Sequence, residues 1–315
     1  MDIALSRECN RLNLLQVARY LDREPELLLG YYHQLLDDSA FVAQLNRQMA
    51  RARQQLHFTK GIFGKPDVDS VDWFAFQRIL LYILVRTLRP ARILETGVYY
   101  GGNTVFLLKG LHDNGEGTLV SIDLPGSKAA STTRHPGVGD TELYAAHVRA
   151  GFLIPEELEG PWQFIEGSSL DVVPTLEGQF DFYIHDSEHS FQFLQRELEL
   201  ASRKLTTDAT LLVDDIDWSN AFYAFCAGER YVPLLLTDNG KDGLRVRSGL
   251  VRRNHPANYD PAFVGQASSP SASTTLSNKC SYRTTSPNSS TTKSASNPLD
   301  SPRSMYRNSS GPTRS

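Results

Sequence analysis

Cysteine is scarce in this chain, and long apolar runs are absent. Its 315 residues include three widely spaced cysteines without a CxxC pair, namely Cys9, Cys226 and Cys280. This pattern predicts neither a disulfide framework nor a structural zinc site, and it favours a reducing compartment. The longest apolar candidate, residues 79–85, is far shorter than the roughly 18–20 residues of a membrane-spanning helix. Residues 1–10 are charged and have no apolar core, so we expect no secretory signal, no membrane partner and a cytoplasmic protein.

Positive charge is also in short supply over most of the sequence. The chain has 32 Lys and Arg against 36 Asp and Glu, which gives a net charge of −4. Residues 266–315 contain six of the basic residues and one of the acids, so residues 1–265 carry a net charge of −9. A body this acidic does not attract phosphate backbones, which argues against a nucleic-acid partner.

Composition divides the chain into three parts. Residues 265–315 are about half Ser and Thr with almost no aliphatic side chains, and we expect a disordered tail. Residues 1–70 show apolar residues at helical spacing, which predicts an N-terminal helical extension that packs on the main domain or forms a lid, with a separate binding domain as the alternative. This extension also offers a surface for a homo-oligomer. Residues 71–264 form the main domain, which begins with a helix predicted over residues 71–87.

From residue 91 onward, short apolar runs alternate with helical patterns. Five runs are typical of parallel strands buried on both faces, namely ARILET, TLVSID, WQFIE, FDFYIH and ATLLVD. Helical patterns separate them over residues 104–112, 142–151 and 190–204, and YVPLLL and LRVRSGLV follow as closing strands. The alternation predicts an α/β, doubly wound, Rossmann-like fold with a mainly parallel seven-stranded sheet. Ligands of such sheets bind at the carboxyl ends of the strands.

A glycine-rich turn follows the first strand. The sequence ETGVYYGG places Gly97 and Gly101 four residues apart, with Glu95 two residues before the first glycine. Glycines let the backbone approach a ligand closely, although a tight turn from strand to helix also needs them. The spacing differs from G-x-G-x-x-G, which disfavours an NAD(P)-type oxidoreductase. Asp123 ends the second strand, where an acid binds ribose hydroxyls, so these residues together indicate a nucleoside site.

Five phrases in a fixed order resemble the class I S-adenosylmethionine-dependent methyltransferases. They are ILETGVYYGGNT, VSIDLPG, FIEGSSLDVVP, FDFYIHDSEHSF and LLVDDIDWSNAFYAF, and the resemblance covers residues 73–252. The chain is most similar to the small-molecule branch that includes metal-dependent O-methyltransferases. The resemblance implies transfer of a methyl group from S-adenosylmethionine to a small-molecule acceptor, at a hydroxyl oxygen. A non-catalytic nucleoside-binding scaffold of the same fold is the alternative.

The resemblance implies contacts along the whole cofactor. In order from the methionine end through the ribose to the adenine, the implied residues are Glu95, Gly97, Gly101, Asp123, Gly167, Ser168 and Ser169. Ser168 stands where relatives commonly have an acid, so the adenine amino group would need a hydroxyl or carbonyl partner instead.

Three carboxylates end two strands that we expect to be neighbours. Asp186 ends strand four, and Asp214 and Asp215 end strand five, so in a parallel sheet all three converge at one edge. Hard divalent cations prefer clustered oxygen ligands. The resemblance implies Mg²⁺ or another divalent cation here, with these three acids as its ligands. The alternative is that Asp186 and Asp215 cap the helices that follow them.

A histidine beside these acids suits the removal of a proton from the acceptor. An imidazole has the pKa to accept a hydroxyl proton near neutral pH. His189 lies in the loop after strand four and is the predicted catalytic base. His185 lies within that strand, and by alternation its side chain points to the other face of the sheet.

Overall fold

The computed structural model describes residues 3–56, 75–124, 150–240 and 243–256. The chain divides into a unit of residues 1–269 and a unit of residues 270–315. The predicted disordered tail lies outside the described residues, as does most of the helix predicted over residues 142–151. Among the helices that are described, none is long and apolar enough to cross a membrane.

Three helices precede a part of the chain in which strands and helices mostly alternate. The described elements are, in chain order, α1 (Ile3–Tyr20), α2 (Pro25–Asp37), α3 (Ser39–Leu56), α4 (Phe76–Leu88), β1 (Arg92–Thr96), α5 (Gly102–Asn114), β2 (Thr118–Asp123), β3 (Trp162–Glu166), α6 (Ser169–Val172), β4 (Phe180–His185), α7 (Phe191–Ser202), β5 (Leu205–Val213), α8 (Ala221–Glu229), β6 (Leu234–Gly240) and β7 (Gly243–Arg252). All seven predicted strands are present.

The seven strands form one sheet in the order β3-β2-β1-β4-β5-β7-β6. Strands β1 to β5 are parallel, and β7 runs antiparallel between β5 and β6. The predicted doubly wound, mainly parallel sheet is therefore confirmed. The strand order reverses between β1 and β4, and in such sheets the crevice at this reversal receives the ligand.

Strand β3 corrects one detail of the prediction. The central strands β1, β4 and β5 are almost wholly buried because helices cover both faces of the sheet. Among the described strands, β3 pairs only with β2, and all of its residues are half-buried or exposed. Its apolar sequence, WQFIE, predicted burial on both faces, but its position at the edge of the sheet prevents it.

The N-terminal helices share a hydrophobic core with the sheet domain. Leu14, Val17, Leu28 and other side chains of α1 to α3 pack in one cluster with residues of α4 and α5. Helix α1 also contacts β6, where the Asn13 side-chain amide donates a hydrogen bond of 2.6 Å to a backbone carbonyl. Leu12, on the helical stripe of the sequence, is 47% exposed. The extension therefore packs on the domain, and its role as a lid stays a prediction.

Candidate active site

The register of the central strands brings the three predicted acids to one edge. Thr96 of β1 pairs with His185 of β4, which in turn pairs with Val213 of β5. The backbone N–H of Asp186 then donates to Thr96, and that of Asp214 donates to His185. Asp186, Asp214 and Asp215 therefore leave adjacent strands at the same level.

Two arginines of β7 also reach this edge. The Arg247 Nε lies 3.0 Å from Asp215 Oδ1 and 3.4 Å from Asp214 Oδ1, and its Nη2 donates to Asp214 Oδ2 at 3.4 Å. Arg245 pairs with Asp215 at 3.4 Å and with Asp217 at 3.1 Å. No local sequence pattern indicates these arginines, because nothing local links β7 to the end of β5.

Burial and mutual repulsion shift the pKa values of the acids upward. Burial, and then the Asp214 and Asp215 carboxylates, raise the pKa of Asp186 well above its ordinary value. Burial, and then Asp214, raise the pKa of Asp215 to about 7, although Arg247 and Arg245 oppose this shift. Burial would lower the pKa of Arg247, but the Asp214 and Asp215 carboxylates raise it above its ordinary value, so its guanidinium stays charged.

The predicted divalent-cation site does not form among the residues that the structure describes, where no group of three His, Cys, Asp or Glu could hold a metal ion. Each predicted ligand has another partner: Asn103 donates to Asp186 at 2.6 Å, and Arg247 contacts both Asp214 and Asp215. A cation bound to these oxygens would lie against a guanidinium of the same sign. Asp186, Asp214 and Asp215 therefore do not fit a divalent cation.

The alternative capping roles are not found either. The residue at the N-cap of α7 is Ser190, and that of α8 is Asn220, so neither Asp186 nor Asp215 occupies a cap. Asp215 instead has a left-handed backbone with φ of 47°. This conformation is uncommon outside glycine, and it turns the chain at the end of β5.

His189 lies at the centre of the edge. Its side chain is 7% exposed, and its Nε2 is 3.8 Å from Asp186 Oδ1 and 3.9 Å from Asp215 Oδ2. Its ring is 5.8 Å from that of Trp218, which is 45% exposed, and 5.2 Å from that of His185. The arrangement places an imidazole, a group that can accept a proton, between the side chains of Asp186 and Asp215.

The glycine-rich turn packs directly against this edge. Gly97 has φ of +87°, and a Cβ at this position would lie 2.0 Å from the backbone oxygen of Asp186. Gly101, with φ of +92°, is the N-cap of α5. The first glycine is thus required by the close approach of the β1 and β4 ends, whether or not a ligand is bound.

Asp123 holds the same turn from the end of β2. Its Oδ2 accepts hydrogen bonds from the backbone N–H groups of Val98 at 2.9 Å and Tyr99 at 2.6 Å, and its Oδ1 accepts from Leu124. The carboxylate therefore organises the turn in this structure. The ribose contact that the resemblance implies stays a prediction.

Glu95 lies beneath the turn and is fully buried. Its carboxyl accepts hydrogen bonds from the hydroxyls of Thr104 at 3.0 Å and Ser121 at 2.6 Å. Burial raises its pKa to about 8, against the lowering effect of the two hydroxyls. The side chain is thus mostly neutral at pH 7, and its contact with a cofactor stays a prediction.

The predicted adenine residues lie after β3. The Gly167 N–H donates to the Asp123 carbonyl at 2.8 Å, which links the ends of β2 and β3. Ser168 is the N-cap of α6. The Ser169 hydroxyl is buried and donates to the carboxylate of Glu197, so this side chain faces the protein interior.

Glu197 of α7 is the main feature that the sequence analysis missed. It is fully buried and accepts hydrogen bonds from five side chains, namely Thr96, Ser169, Tyr183, His185 and Ser187. Burial alone would raise its pKa, but His185 at 2.6 Å and the hydroxyls lower it to about 2. Helical spacing offered a signal, since Glu197 shares its face with the buried Leu194, Leu198 and Ala201.

The strand order, the reversal point and the polar edge define a Rossmann-like domain, a class in which ligands bind at the carboxyl ends of the strands. A family model described as a methyltransferase domain matches residues 94–216, from β1 to just beyond β5. Residues 94–216 therefore match a methyltransferase domain, and the resemblance to the class I S-adenosylmethionine-dependent methyltransferases is confirmed.

Individual relatives share the methyltransferase description. The O-methyltransferase hkm8 of Aspergillus hancockii is 27% identical over 180 residues, which are 57% of this chain and 61% of hkm8. The chain thus spans about three fifths of that relative. An O-methyltransferase from Bacillus cereus, solved in complex with SAH, has a TM-score of 0.46 and 19% identity over 67% of this chain and 90% of its own.

A third relative is TomG from Streptomyces achromogenes, an O-methyltransferase involved in tomaymycin synthesis and solved with SAM. It has a TM-score of 0.45 and 20% identity over 66% of this chain and 88% of its own. Because both TM-scores are below 0.5, the fold assignment rests on the strand order given above.

Proposed function

We propose that this protein transfers the methyl group of S-adenosylmethionine to a hydroxyl oxygen of a small-molecule acceptor, with His189 as the catalytic base. The observation that carries the proposal is the position of His189 Nε2, within 4 Å of carboxylate oxygens of both Asp186 and Asp215. This position is at the edge of a methyltransferase domain and directly after β4.

The chemistry is an in-line displacement. The acceptor oxygen forms a bond to the methyl carbon, and the carbon–sulfur bond breaks, so that the positive sulfonium becomes the neutral sulfide of S-adenosylhomocysteine. The hydroxyl proton moves to His189 Nε2, which lies between the side chains of Asp186 and Asp215. Because the methyl group is already activated, the protein contributes mainly orientation and proton removal.

The cofactor would lie across the carboxyl ends of β1, β2 and β3. The turn around Gly97 and Gly101 would approach its methionine end, with Glu95 beneath, and Asp123 would bind the ribose next to the turn that it already holds. Gly167 and Ser168 would border the adenine. The side chain of Ser169 would act indirectly, through Glu197.

No step in this mechanism uses a divalent cation. Arg247 contacts Asp214 and Asp215, the two acids after β5 that the sequence predicts as metal ligands. Within the described part of the chain, the positive charge at this edge comes from Arg245 and Arg247. His189 and the exposed face of Trp218 would orient the acceptor.

The cofactor assignment can be tested by calorimetry with S-adenosylhomocysteine and NAD⁺ on the full chain. We expect only the first to bind, and we expect Asp123→Ala to weaken that binding by about 1–3 kcal/mol because charge-assisted hydrogen bonds are lost. Binding of NAD⁺ alone would instead support an oxidoreductase. Unchanged affinity in Asp123→Ala would remove this residue from the cofactor site.

The catalytic assignment can be tested with methyl-labelled S-adenosylmethionine and a panel of hydroxylated small molecules. We expect His189→Gln to lower methylation by about 10²-fold or more while S-adenosylhomocysteine binding is retained. His112→Gln, which changes an exposed histidine of α5, is the matched control and should be fully active. Cofactor binding without transfer to any acceptor would favour the scaffold alternative.

Partners and location follow from the same proposal. A small-molecule acceptor fits an O-methyltransferase, and the acidic body of residues 1–265 supports the absence of a nucleic-acid partner. A cytoplasmic location and a homo-oligomer through the N-terminal helices stay predictions.

A further inference from the structure

The antiparallel strand β7 carries Arg247 past the end of β5. Gly249 of β7 pairs with Val213, the last residue of β5, so that Arg247 lies two residues beyond this pair. The backbone N–H of Ile216 donates to the Arg247 carbonyl at 2.9 Å, which ties the chain after the acids to β7. The backbone of the sheet therefore fixes the point from which the Arg247 side chain reaches the acids.

The carboxylate oxygens at this edge are divided between two sets of partners. Four of the six oxygens of Asp186, Asp214 and Asp215 contact donors other than His189. Asp214 Oδ1 accepts from the Ser248 hydroxyl at 3.0 Å and lies 3.4 Å from Arg247 Nε, while Asp214 Oδ2 accepts from Arg247 Nη2. Asp215 Oδ1 contacts both arginines, and Asp186 Oδ2 accepts from Asn103. Asp186 Oδ1 and Asp215 Oδ2 face His189.

This division of partners fixes the orientations of Asp214 and Asp215, the two acids after β5. Asp214 is 1% exposed, so a carboxylate there needs a positive partner within contact distance. Arg247 bridges it to Asp215, and the second oxygen of Asp215 is thereby directed toward His189. A guanidinium is always charged and spreads its charge over a plane of three nitrogens, which suits an ionic bridge between two carboxylates.

We propose that Arg247 is a built-in counter-ion that takes the place of a divalent cation at this edge and positions Asp214 and Asp215, so that the acids bind a divalent cation only after Arg247 is removed. The inference rests on the proposed function in one respect, namely that this edge of the sheet is the active site. Cation binding is measured without methyl transfer, so it can fail or succeed independently of that function.

The test is a titration of the full chain with Mn²⁺, followed by the electron paramagnetic resonance signal of the free ion. The variants are Arg247→Gln, Arg247→Lys, Arg245→Gln and the double variant Arg247→Gln/Asp214→Asn. We expect no binding by wild type at millimolar Mn²⁺, and one ion per Arg247→Gln chain with a Kd of about 10⁻⁴–10⁻³ M. This is at least about tenfold tighter than in wild type.

The other variants separate charge from position. Arg247→Lys keeps the positive charge and should resemble wild type. Arg245→Gln removes an arginine of the same strand that does not contact Asp214, and it should not create a Mn²⁺ site. The double variant lacks both the guanidinium and one carboxylate, and it should lose the site again. In Arg247→Gln alone, Mn²⁺ should also raise the melting temperature.

Two results would overturn the proposal. Stoichiometric Mn²⁺ binding by wild type would mean that the cation coexists with Arg247, and this measurement needs no variant to fold. The second result would be that Arg247→Gln gains no Mn²⁺ affinity, or that it stays unfolded both with and without Mn²⁺. Either outcome would show that Arg247 does not substitute for a cation.

Discussion

The buried carboxylate of Glu197 offers a strong test of the energetics of this structure. Replacing Glu197 with Gln keeps the size of the side chain but removes the charge that His185 and four hydroxyls surround. The change should destabilise the protein, because His185 and the four hydroxyls would lose the buried charge that they surround, and an amide N–H₂ would face several donors.

The magnitude follows from the pKa of Glu197. Its environment lowers this pKa from 4.5 to about 2, chiefly through His185 once the opposing effect of burial is included. A shift of one unit corresponds to about 1.4 kcal/mol, so the charged form should contribute about 3 kcal/mol to the free energy of unfolding at pH 7. Breaking a buried pair by removing one partner costs a similar amount, about 3–5 kcal/mol.

Urea denaturation of the full chain, followed by circular dichroism, measures this free energy. The matched control is Glu199→Gln on the same helix, where a partly exposed carboxylate pairs with Arg196 at 3.3 Å. The control should cost less than about 1 kcal/mol, because surface ion pairs contribute little. A loss below about 1 kcal/mol in Glu197→Gln, equal to that of the control, would refute the reasoning.

The pH dependence supplies a second arm of the same test. The pKa of Glu197 is lower in the folded protein, so its contribution is present above about pH 4.5 and is lost as the pH falls toward 2. Wild type should therefore lose stability more steeply than Glu197→Gln in this acidic range. Parallel curves would contradict the assigned pKa.

Two further predictions concern the turn after β1. Burial raises the pKa of Glu95 from 4.5 to about 8, so its stabilising contribution is present below about pH 4.5 and is lost as the pH rises through 8. As the pH rises from 4.5 to 9, the free energy of unfolding of Glu95→Gln should thus increase by about 4 kcal/mol relative to that of wild type. If urea titrations show the same difference between the two proteins at every pH, this prediction is wrong. Gly97→Ala should cost about 3 kcal/mol or more, because its Cβ would meet the Asp186 carbonyl at 2.0 Å. Gly115 has a similar φ of +70°, but a Cβ there would meet no atom within 4 Å, so Gly115→Ala should cost only about 1 kcal/mol. Equal losses of stability for the two variants in thermal denaturation would show that the contact with the Asp186 carbonyl does not matter.

The sequence by itself determined the order of the elements and the residues at the strand ends. Short apolar runs and helical spacing are local patterns, and the apolar runs located all seven strands, although burial on both faces holds for the central strands β1, β4 and β5 and not for β3. The same reasoning located Asp186, Asp214 and Asp215 at one edge, because parallel strands end together. It also selected His189, which the structure places between two of these acids.

Only the tertiary structure decided what surrounds those acids. Arg247 lies 32 and 33 residues after Asp215 and Asp214, and no local pattern indicates that an antiparallel strand will carry it past the end of β5. Glu197 likewise is one charged residue on an apolar helix face until α7 packs over Thr96 and His185. The edge position of β3 depends on pairing with β2 alone. In each case the deciding interaction joins residues far apart in sequence, so it is set by strand pairing and packing and not by the local order of side chains.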